Sequence, residues 1–536
     1  MPAVDQSQET TLSGDESDGQ MLRQFLAAPV DDPRTLVTLA KTLLPRGQFD
    51  ACAAAARHAL QTCPTAAVLQ ILAESLWLLN AFDECDAVLE QLIGVVSDDT
   101  VEWAYRRRAK IKSRQGDHGT AQEILRDAHR RFPQNYNLLA GYTDLLAVTD
   151  AAAASAELRR AIESIANPSA RSFLLKRMTL YGIAERRRQK GLSPESACSW
   201  QDVCTWRDPE GLAALTASLR EEAAKPTIRI EALMDLGSCA AAGMNWEEAE
   251  RYFGHVRRSQ PGTFADIANF DPALYASLET KTDEMLFGDL PPVADILRRS
   301  PASDTSIFLA SDPKYHAAFT GPLLRTLDLS TYRAIPHIHV HLLDGEMREW
   351  QEVATELASL KRLSVSLSAE ASRAKEQGPV YARIYYHAIR FIRFYQEVKR
   401  SNRPSWILDV DVNILRDPEA GLSVLPHFDL AVSGLPQVFD PWGKLMAACV
   451  GISPTPAGLR YARLVAAYVA HTKTMGLWRW NVDQMAMFTA LAHLDRAGGM
   501  PTTFFLQPDF VCLNSERTGL FQFPSGINKY LQQSAS

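Results

Sequence analysis

A short turn followed by an alanine-rich helix recurs along the first half of the chain, and this recurrence constrains the fold more tightly than any single motif. Gly47-Gln48-Phe49-Asp50-Ala51-Cys52 returns as Asn80-Ala81-Phe82-Asp83-Glu84-Cys85 and again as Gly116-Asp117-His118-Gly119-Thr120-Ala121, at spacings of about 33 and about 36 residues. The helices expected after these turns, Ala51 to Leu60 and Thr120 to Arg131, end near Cys63-Pro64 and Phe132-Pro133, where proline lacks the donor that another turn needs. A cleaner copy, Gly243-Met244-Asn245-Trp246-Glu247-Glu248-Ala249-Glu250, runs through Tyr252-Phe253 to Gln260-Pro261. Between about 140 and 228 the chain is helical by composition but repeats poorly, with a break at Gly191-Leu192-Ser193-Pro194. Each helix pair can bury its apolar face only against its neighbours, so the expected architecture is a stack.

The spacings bracket the tetratricopeptide period, and such a solenoid either holds a protein or peptide in its groove or serves as a scaffold. From about 285 the pattern changes. Leu290-Pro291-Pro292 and Pro301-Ala302-Ser303 suggest a junction. Strand-like runs then follow at Ser306 to Ala310, Ile335 to Leu343, Ser405 to Leu408 and Leu430 to Val432, with helical stretches at Val380 to Lys399, Ala457 to His471 and Val482 to Leu494. That alternation predicts an open, mostly parallel sheet. The expected organisation is multidomain: a disordered acidic tail over 1–20, an all-α solenoid over 21–285, a linker over 286–303 and an α/β domain over 304–536.

At 536 residues and a net charge of -7, the chain is long enough for substantial cores and does not have the basic balance of a nucleic-acid binder. The acidic start (Asp5, Glu9, Asp15, Glu16, Asp18) is unlike a signal peptide, and no apolar run approaches membrane-spanning length. Eight scattered cysteines without a Cys-x-x-Cys pair read as reduced and buried. A cytoplasmic location with no membrane span is therefore expected.

Chemistry concentrates in the second half. Trp406-Ile407-Leu408-Asp409-Val410-Asp411-Val412 reads as an apolar strand ending in two carboxylates on one face, with Val410 and Val412 on the other. Two like charges at the end of a buried strand repel each other and lose hydration, which a divalent cation such as Mg2+ or Mn2+ relieves; a polar strand end is the plainer alternative. Asp312-Pro313 reads as an N-cap with proline at the first helical position, or as a nucleotide-base contact at a strand-to-helix turn facing the cleft. Arg390 and Arg393 lie three apart on one helix face, where they pair with surface carboxylates or neutralise a diphosphate. Trp478-Arg479-Trp480-Asn481-Val482-Asp483-Gln484 opens a helix; Asp483 there suits the helix dipole, and the two rings suit a pyranose face. His337, His339 and His341 share one face of a strand, but three ligands in line close a zinc tetrahedron poorly. Gly526-Ile527-Asn528-Lys529 lies near the C-terminus, where a lysine is ordinarily solvated.

Taken in order, these segments over roughly 304 to 530 resemble the GT-A glycosyltransferases, especially the retaining group around bacterial lipopolysaccharide galactosyltransferases and glycogenin (glycosyltransferase family 8). The resemblance implies a Rossmann-like α/β domain and a nucleotide-diphosphate sugar donor, with a UDP-sugar expected. It implies Asp312 at the uracil with Tyr315 stacked on it, and Arg390 on the donor. Asp409 and Asp411 match the metal motif, Asp483 and Gln484 the catalytic acid-amide pair at the donor sugar, and Gly526 and Lys529 the loop that grips the diphosphate. Two positions depart from the family pattern: Phe523 stands where a third metal-ligand histidine is usual, and Ala447-Ala448-Cys449 replaces Asn-Ala-Gly. The expected activity is metal-assisted, retaining transfer of a sugar to a glycan, lipid-linked glycan or protein, with the solenoid holding the acceptor or a protein partner. The alternative is a tetratricopeptide scaffold with an inactive nucleotide-sugar-binding domain.

Overall fold

The structure is a computed structural model describing Leu43 and residues 49–62, 64–96, 101–165, 168–191, 197–205, 209–224, 229–299, 303–332, 335–414, 417–436, 438–507, 510–512 and 521–522. The chain divides into two compact units, Met1–Asp150 and Ala151–Ser536.

The first unit is a tetratricopeptide-like helical solenoid. Its described helices are α1 (Phe49–Thr62), α2 (Ala66–Leu78), α3 (Phe82–Val95), α4 (Glu102–Arg114), α5 (His118–Arg131) and α6 (Tyr136–Thr149), each packed on the next. Side chains at the turns cap the helices: Thr65 accepts from the Val68 amide at 3.4 Å, Asp117 from Thr120 at 3.0 Å and Asn135 from Leu138 at 3.2 Å. The repeat has a backbone cause. Asn80 (φ 56°) and Gly116 (φ 81°) adopt the left-handed conformation two residues before their helices begin, and Met244 (φ 56°) does the same in the second unit. Glycine and asparagine tolerate that conformation well; methionine tolerates it poorly.

The second unit opens with α7 (Ala151–Ser164), α8 (Pro168–Gln189), α9 (Trp200–Cys204), α10 (Pro209–Ala223), α11 (Arg229–Ala242), α12 (Trp246–Ser259), α13 (Pro272–Thr280) and α14 (Asp283–Phe287). α11 and α12 approach so closely that a Cβ on Gly237 would meet Phe253 Cζ at 2.7 Å. These helices share a core with the α/β elements that follow. Phe488 packs its ring 5.2 Å from Trp200 and 5.9 Å from Trp246, and the Tyr468 hydroxyl donates to the Ile267 carbonyl at 2.6 Å. The 286–303 stretch, expected as a linker, carries an edge strand, β1 (Val293–Leu297), antiparallel to β4 (Val365–Glu370). Pro291 and Pro292 read as a junction because proline is tolerated at the end of an edge strand as readily as in a linker; Pro301 lies outside the described residues.

Among the described residues the main sheet has eight strands in the order β1-β4-β3-β2-β5-β8-β7-β9. β2 (Ser306–Ser311), β3 (His337–Leu343), β4, β5 (Ser405–Leu408), β7 (Leu430–Gly434) and β9 (Thr503–Phe505) run parallel; β1 and β8 (Leu445–Ile452) oppose them. A small sheet, β10 (Val511–Cys512), β11 (Phe521–Gln522) and β6 (Asn413–Ile414), places Gln522 opposite Asn413. Period-two alternation sorts the strands between two apolar clusters: Phe308 and Ile407 face one, while Ile307, Leu309, Trp406 and Leu408 face the other. The first cluster is covered by α18 (Pro379–Ser401), α20 (Pro456–Thr474) and α21 (Val482–Arg496). The second is covered by α16 (Gly321–Leu329) and α17 (Met347–Ala358), with α15 (Pro313–Tyr315) and α19 (Pro418–Leu422) as short connectors.

Lys444, just before β8, is fully buried and its Nζ donates to the Val203 carbonyl of α9 at 2.7 Å. Burial lowers its pKa from 10.5 to about 8, against the pull of Cys204 and Asp440. The unfolded chain therefore holds more protons between these two values, so the burial penalty is full below pH 8 and is relieved toward pH 10.5. Lys444→Met is expected to abolish a rise in unfolding free energy on the order of 3 kcal/mol across that window. Urea denaturation of both proteins at pH 7.5 and 10 checks this; parallel changes in the two proteins would refute it.

Candidate functional site

The carboxyl edge of four neighbouring parallel strands is acidic: β2 leads to Asp312, β3 to Asp344 and β5 to Asp409, and β4 ends in Glu370. Ligands bind at this edge in open α/β sheets. β5 ends at Leu408, so Asp409 to Val412 form a turn and not the strand end expected from alternation. The Asp409 amide donates to the Ala448 carbonyl of β8 at 2.9 Å, and the Val412 amide to the Asp409 carbonyl at 3.3 Å. Val410 and Val412 are buried in the second apolar cluster, which anchors the turn. Asp411 is also buried, and Asp409 is partly exposed.

Arg390, on α18, gathers the site. One arm of its guanidinium donates to Asp409 Oδ1, and the other to Asp483 Oδ2 at 3.4 Å and to the Ala447 carbonyl of β8 at 3.3 Å. Its Nε donates to the His387 carbonyl at 3.1 Å. Burial disfavours its charge, but the carboxylates of Asp409 and Asp483 outweigh that and hold its pKa above the usual arginine value. Asp483 lies in the first turn of α21, its Oδ1 accepting from the Gln484 amide at 2.8 Å. Asn481, in the left-handed region at φ 66°, turns the chain into that helix. Asp409, Arg390 and Asp483 thus meet from three elements, with Gln484 adjoining and Asp411 in the same turn as Asp409.

Asp312 caps α15, accepting from the Tyr315 amide at 2.7 Å, and its other oxygen lies 3.1 Å from Lys375 Nζ. Tyr315 is exposed, with its ring 5.1 Å from Phe319. Gly526, Lys529 and Phe523 lie outside the described residues.

Other candidates separate by contact. Arg393 turns away from Arg390: its Nε donates to the fully buried Glu370 at 2.6 Å, and its Nη2 to the Pro291 carbonyl at 2.7 Å. That is an ion-pair role. The three histidines of β3 bond to serines on or beside β4: His337 Nδ1 lies 3.0 Å from Oγ of Ser364, just before the strand, and His339 and His341 share Ser368 Oγ at 2.8 Å each. They line up along β3 and do not converge on a point, and among the described residues no three metal-ligating side chains cluster. A cavity of about 170 Å³ beside His339 and His341 touches none of Asp409, Arg390 and Asp483. The two tryptophans also part. Trp478 donates to the Val469 carbonyl at 2.8 Å and stacks on Tyr381, whereas Trp480 is 47% exposed with His387 4.3 Å from its ring. Arg479 ties the loop between them to Asp266 at 2.7 Å.

Residues missed from the sequence also lie on this edge. Asp344 (φ 69°) accepts from the hydroxyls of Ser372 and Tyr386, the latter at 2.5 Å, and Glu370 accepts from the Tyr385 hydroxyl at 2.8 Å. Leu343-Asp344-Gly345, an acid and a glycine directly after an apolar run, was a readable strand-end signal.

No family model and no curated protein matches this chain. Solved structures resembling parts of it include apo mouse xyloside xylosyltransferase 1 at 9% identity, over 41% of this chain and 98% of that one, with a TM-score of 0.28. Pseudomonas aeruginosa pilF matches at 14% identity over 44% of this chain and 94% of that one, with a TM-score of 0.25. The TPR2AB domain of yeast Sti1 matches at 14% identity over 46% and 87%, with a TM-score of 0.19. All three scores are below 0.5 and carry no argument about fold or function.

Proposed function

We propose that the second unit is a GT-A-type glycosyltransferase that moves a sugar from a nucleotide-diphosphate sugar, a UDP-sugar by resemblance, to an acceptor hydroxyl. The observation that carries this reading is the convergence of Arg390 with Asp409 and Asp483 at the carboxyl edge of a mostly parallel sheet. The cation is buried and pairs with two carboxylates, one from the acid pair after β5 and one from the acid-amide pair opening α21. Charged groups brought together from three separate elements at such an edge mark a candidate functional site.

Two carboxylates in one turn fit a hard divalent cation, Mn2+ or Mg2+, whose remaining positions diphosphate oxygens and water would fill. When bound, that cation would supply positive charge opposite the leaving diphosphate. Asp409 and Asp411 would hold it, and Lys529 with the Gly526 loop would take the far phosphate. Arg390 keeps Asp409 and Asp483 oriented without substrate, and its buried positive charge favours a diphosphate placed beside them. Asp483, pinned by Arg390 and the Gln484 amide, would stabilise developing positive charge at the anomeric carbon, with Gln484 beside it. Asp312 and Tyr315 would bracket the base. Retention of configuration follows from the resemblance. The acceptor, whether glycan, lipid-linked glycan or protein, would be held with help from the solenoid or from a protein bound to it. A cytoplasmic setting is compatible with these substrates, and no described helix is long and apolar enough to cross a membrane.

Incubation with a panel of nucleotide sugars, with and without Mn2+, tests this. Metal-dependent release of nucleoside diphosphate from one donor is expected. Phe523 at the expected histidine position favours a second reading, a scaffold whose domain binds nucleotide sugar without turnover. Calorimetric binding of UDP and Mn2+ without hydrolysis of any donor would establish that reading, and no binding at all would refute both.

A further inference from the structure

Within the first unit, α4 carries more positive charge than its surroundings neutralise. Arg106 pairs with Glu102 at 3.0 Å, Arg108 with Asp86 at 2.8 Å and Lys112 with Asp86 at 2.9 Å. The other three cations point elsewhere. The Arg107 and Arg114 guanidinium carbons each lie 4.9 Å from the ring centre of Trp77, on α2, and Lys110 Nζ lies 5.6 Å from it. Arg114 also lies 5.2 Å from the Phe82 ring, and Arg107 lies 5.2 Å from Trp103. Among the described residues no carboxylate comes within ion-pair distance of these three, and Arg107 Nη1 is buried with no hydrogen-bond partner. All three pKa values are pushed down by burial, for Lys110 also by Arg114 and Arg107, while Glu74 only partly offsets the loss at Arg107.

Positions three and seven apart fall on one helix face, and at about 1.5 Å per residue they span about 10 Å. The Trp77 ring offsets part of the repulsion, each exposed cation–π contact contributing about 0.5–1 kcal/mol. The remaining repulsion is relieved by an anion. We propose that this face of the solenoid, formed by Arg107, Lys110 and Arg114 over the buried Trp77 ring, binds an extended acidic peptide segment of a partner protein. Side chains at alternate positions of an extended peptide lie about 7 Å apart on one side, so two or three carboxylates match the span. The intervening apolar groups would meet the half-buried Phe82 ring and the alkyl stems of the three cations, which cover the buried Trp77. A long polyanion fits worse, because the patch is short and flanked by Glu74, Asp83, Glu84 and Glu102, and the chain carries a net charge of -7.

The test uses the full chain and fluorescence anisotropy of three labelled probes: an extended peptide of alternating Asp and Ser, its Asn-Ser counterpart, and a single-stranded thymidine oligonucleotide of equal charge. Binding of the acidic peptide is expected, weakening with salt and falling about tenfold or more in Lys110→Glu/Arg114→Glu. Both positions are exposed, so the variant should keep its helical circular dichroism. If it does not, Lys110→Gln/Arg114→Gln carries the test. Arg348→Glu, in the second unit and 88% exposed, should leave affinity unchanged. The charge-reversed variant should also acquire affinity for a Lys-Ser peptide. Absence of binding, equal binding of the Asn-Ser peptide, tighter binding of the oligonucleotide, or indifference to the charge reversal would overturn the proposal.

Discussion

Replacing Arg390 with methionine is expected to lower unfolding free energy by roughly 3 kcal/mol and to remove nucleotide-sugar turnover altogether. The side chain lies among Asp409, Asp483 and the Ala447 carbonyl and is almost fully buried. Methionine fills much of its volume but leaves two carboxylates facing each other without the cation between them, and a carbonyl without its donor. The expected loss is toward the lower end for a broken buried pair because Asp409 is partly open to water. Arg390→Lys keeps a charge but not the two-armed fork, so it should recover part of the stability and little of the activity. Denaturant titration followed by the UDP and Mn2+ assay separates the two effects. An unchanged midpoint in the methionine variant would mean that Arg390 does not brace the site.

Much of this arrangement can be traced to short sequence signals. Asn80 and Gly116 mark repeat turns because the chain needs a left-handed residue there, and that requirement is local. The helix Val380 to Lys399 extends one or two residues beyond its expected ends, as the proline before it and the left-handed Asn402 after it dictate. Other features are set by contacts between distant residues. Arg390 and Asp483 are 93 positions apart, and nothing local distinguishes an arginine that reaches an active edge from Arg393, which reaches Glu370. β8 runs against its neighbours because of how the chain returns, a choice that its almost wholly buried, apolar sequence does not record. The fusion of the helices around Trp200 and Trp246 with Phe488 was hidden for the same reason: repeat spacing shows that a helix pair exists but not what covers its outer face. The histidines of β3 form a metal-like pattern, yet their partners are Ser368 on β4 and Ser364 just before it, and no strand is evident there from the sequence alone.

Asp409 and Asp411 are two residues apart but held differently, so their asparagine variants should fail in different ways. Asp409 is an anchor for Arg390 as well as a proposed metal ligand. Asp409→Asn should therefore lower stability by about 1 kcal/mol, since a neutral amide accepts a weaker bond than a carboxylate does. It should also raise the Mn2+ concentration needed for donor binding. Asp411 is buried in the turn next to the valines that fix it, and Arg390 does not reach it. In the proposed reaction, Asp411→Asn should lower Mn2+-dependent turnover about 100-fold or more at saturating donor, the scale on which charge stabilisation of a leaving group operates. The helices of residues 49–149 belong to the other compact unit, so their circular dichroism should not change in either variant. A Mn2+ titration of UDP binding by calorimetry, run beside the turnover assay, distinguishes a lost ligand from a misfolded site. Full Mn2+-dependent turnover in Asp411→Asn would remove the acid pair from the mechanism and leave the Arg390 cluster as a structural brace.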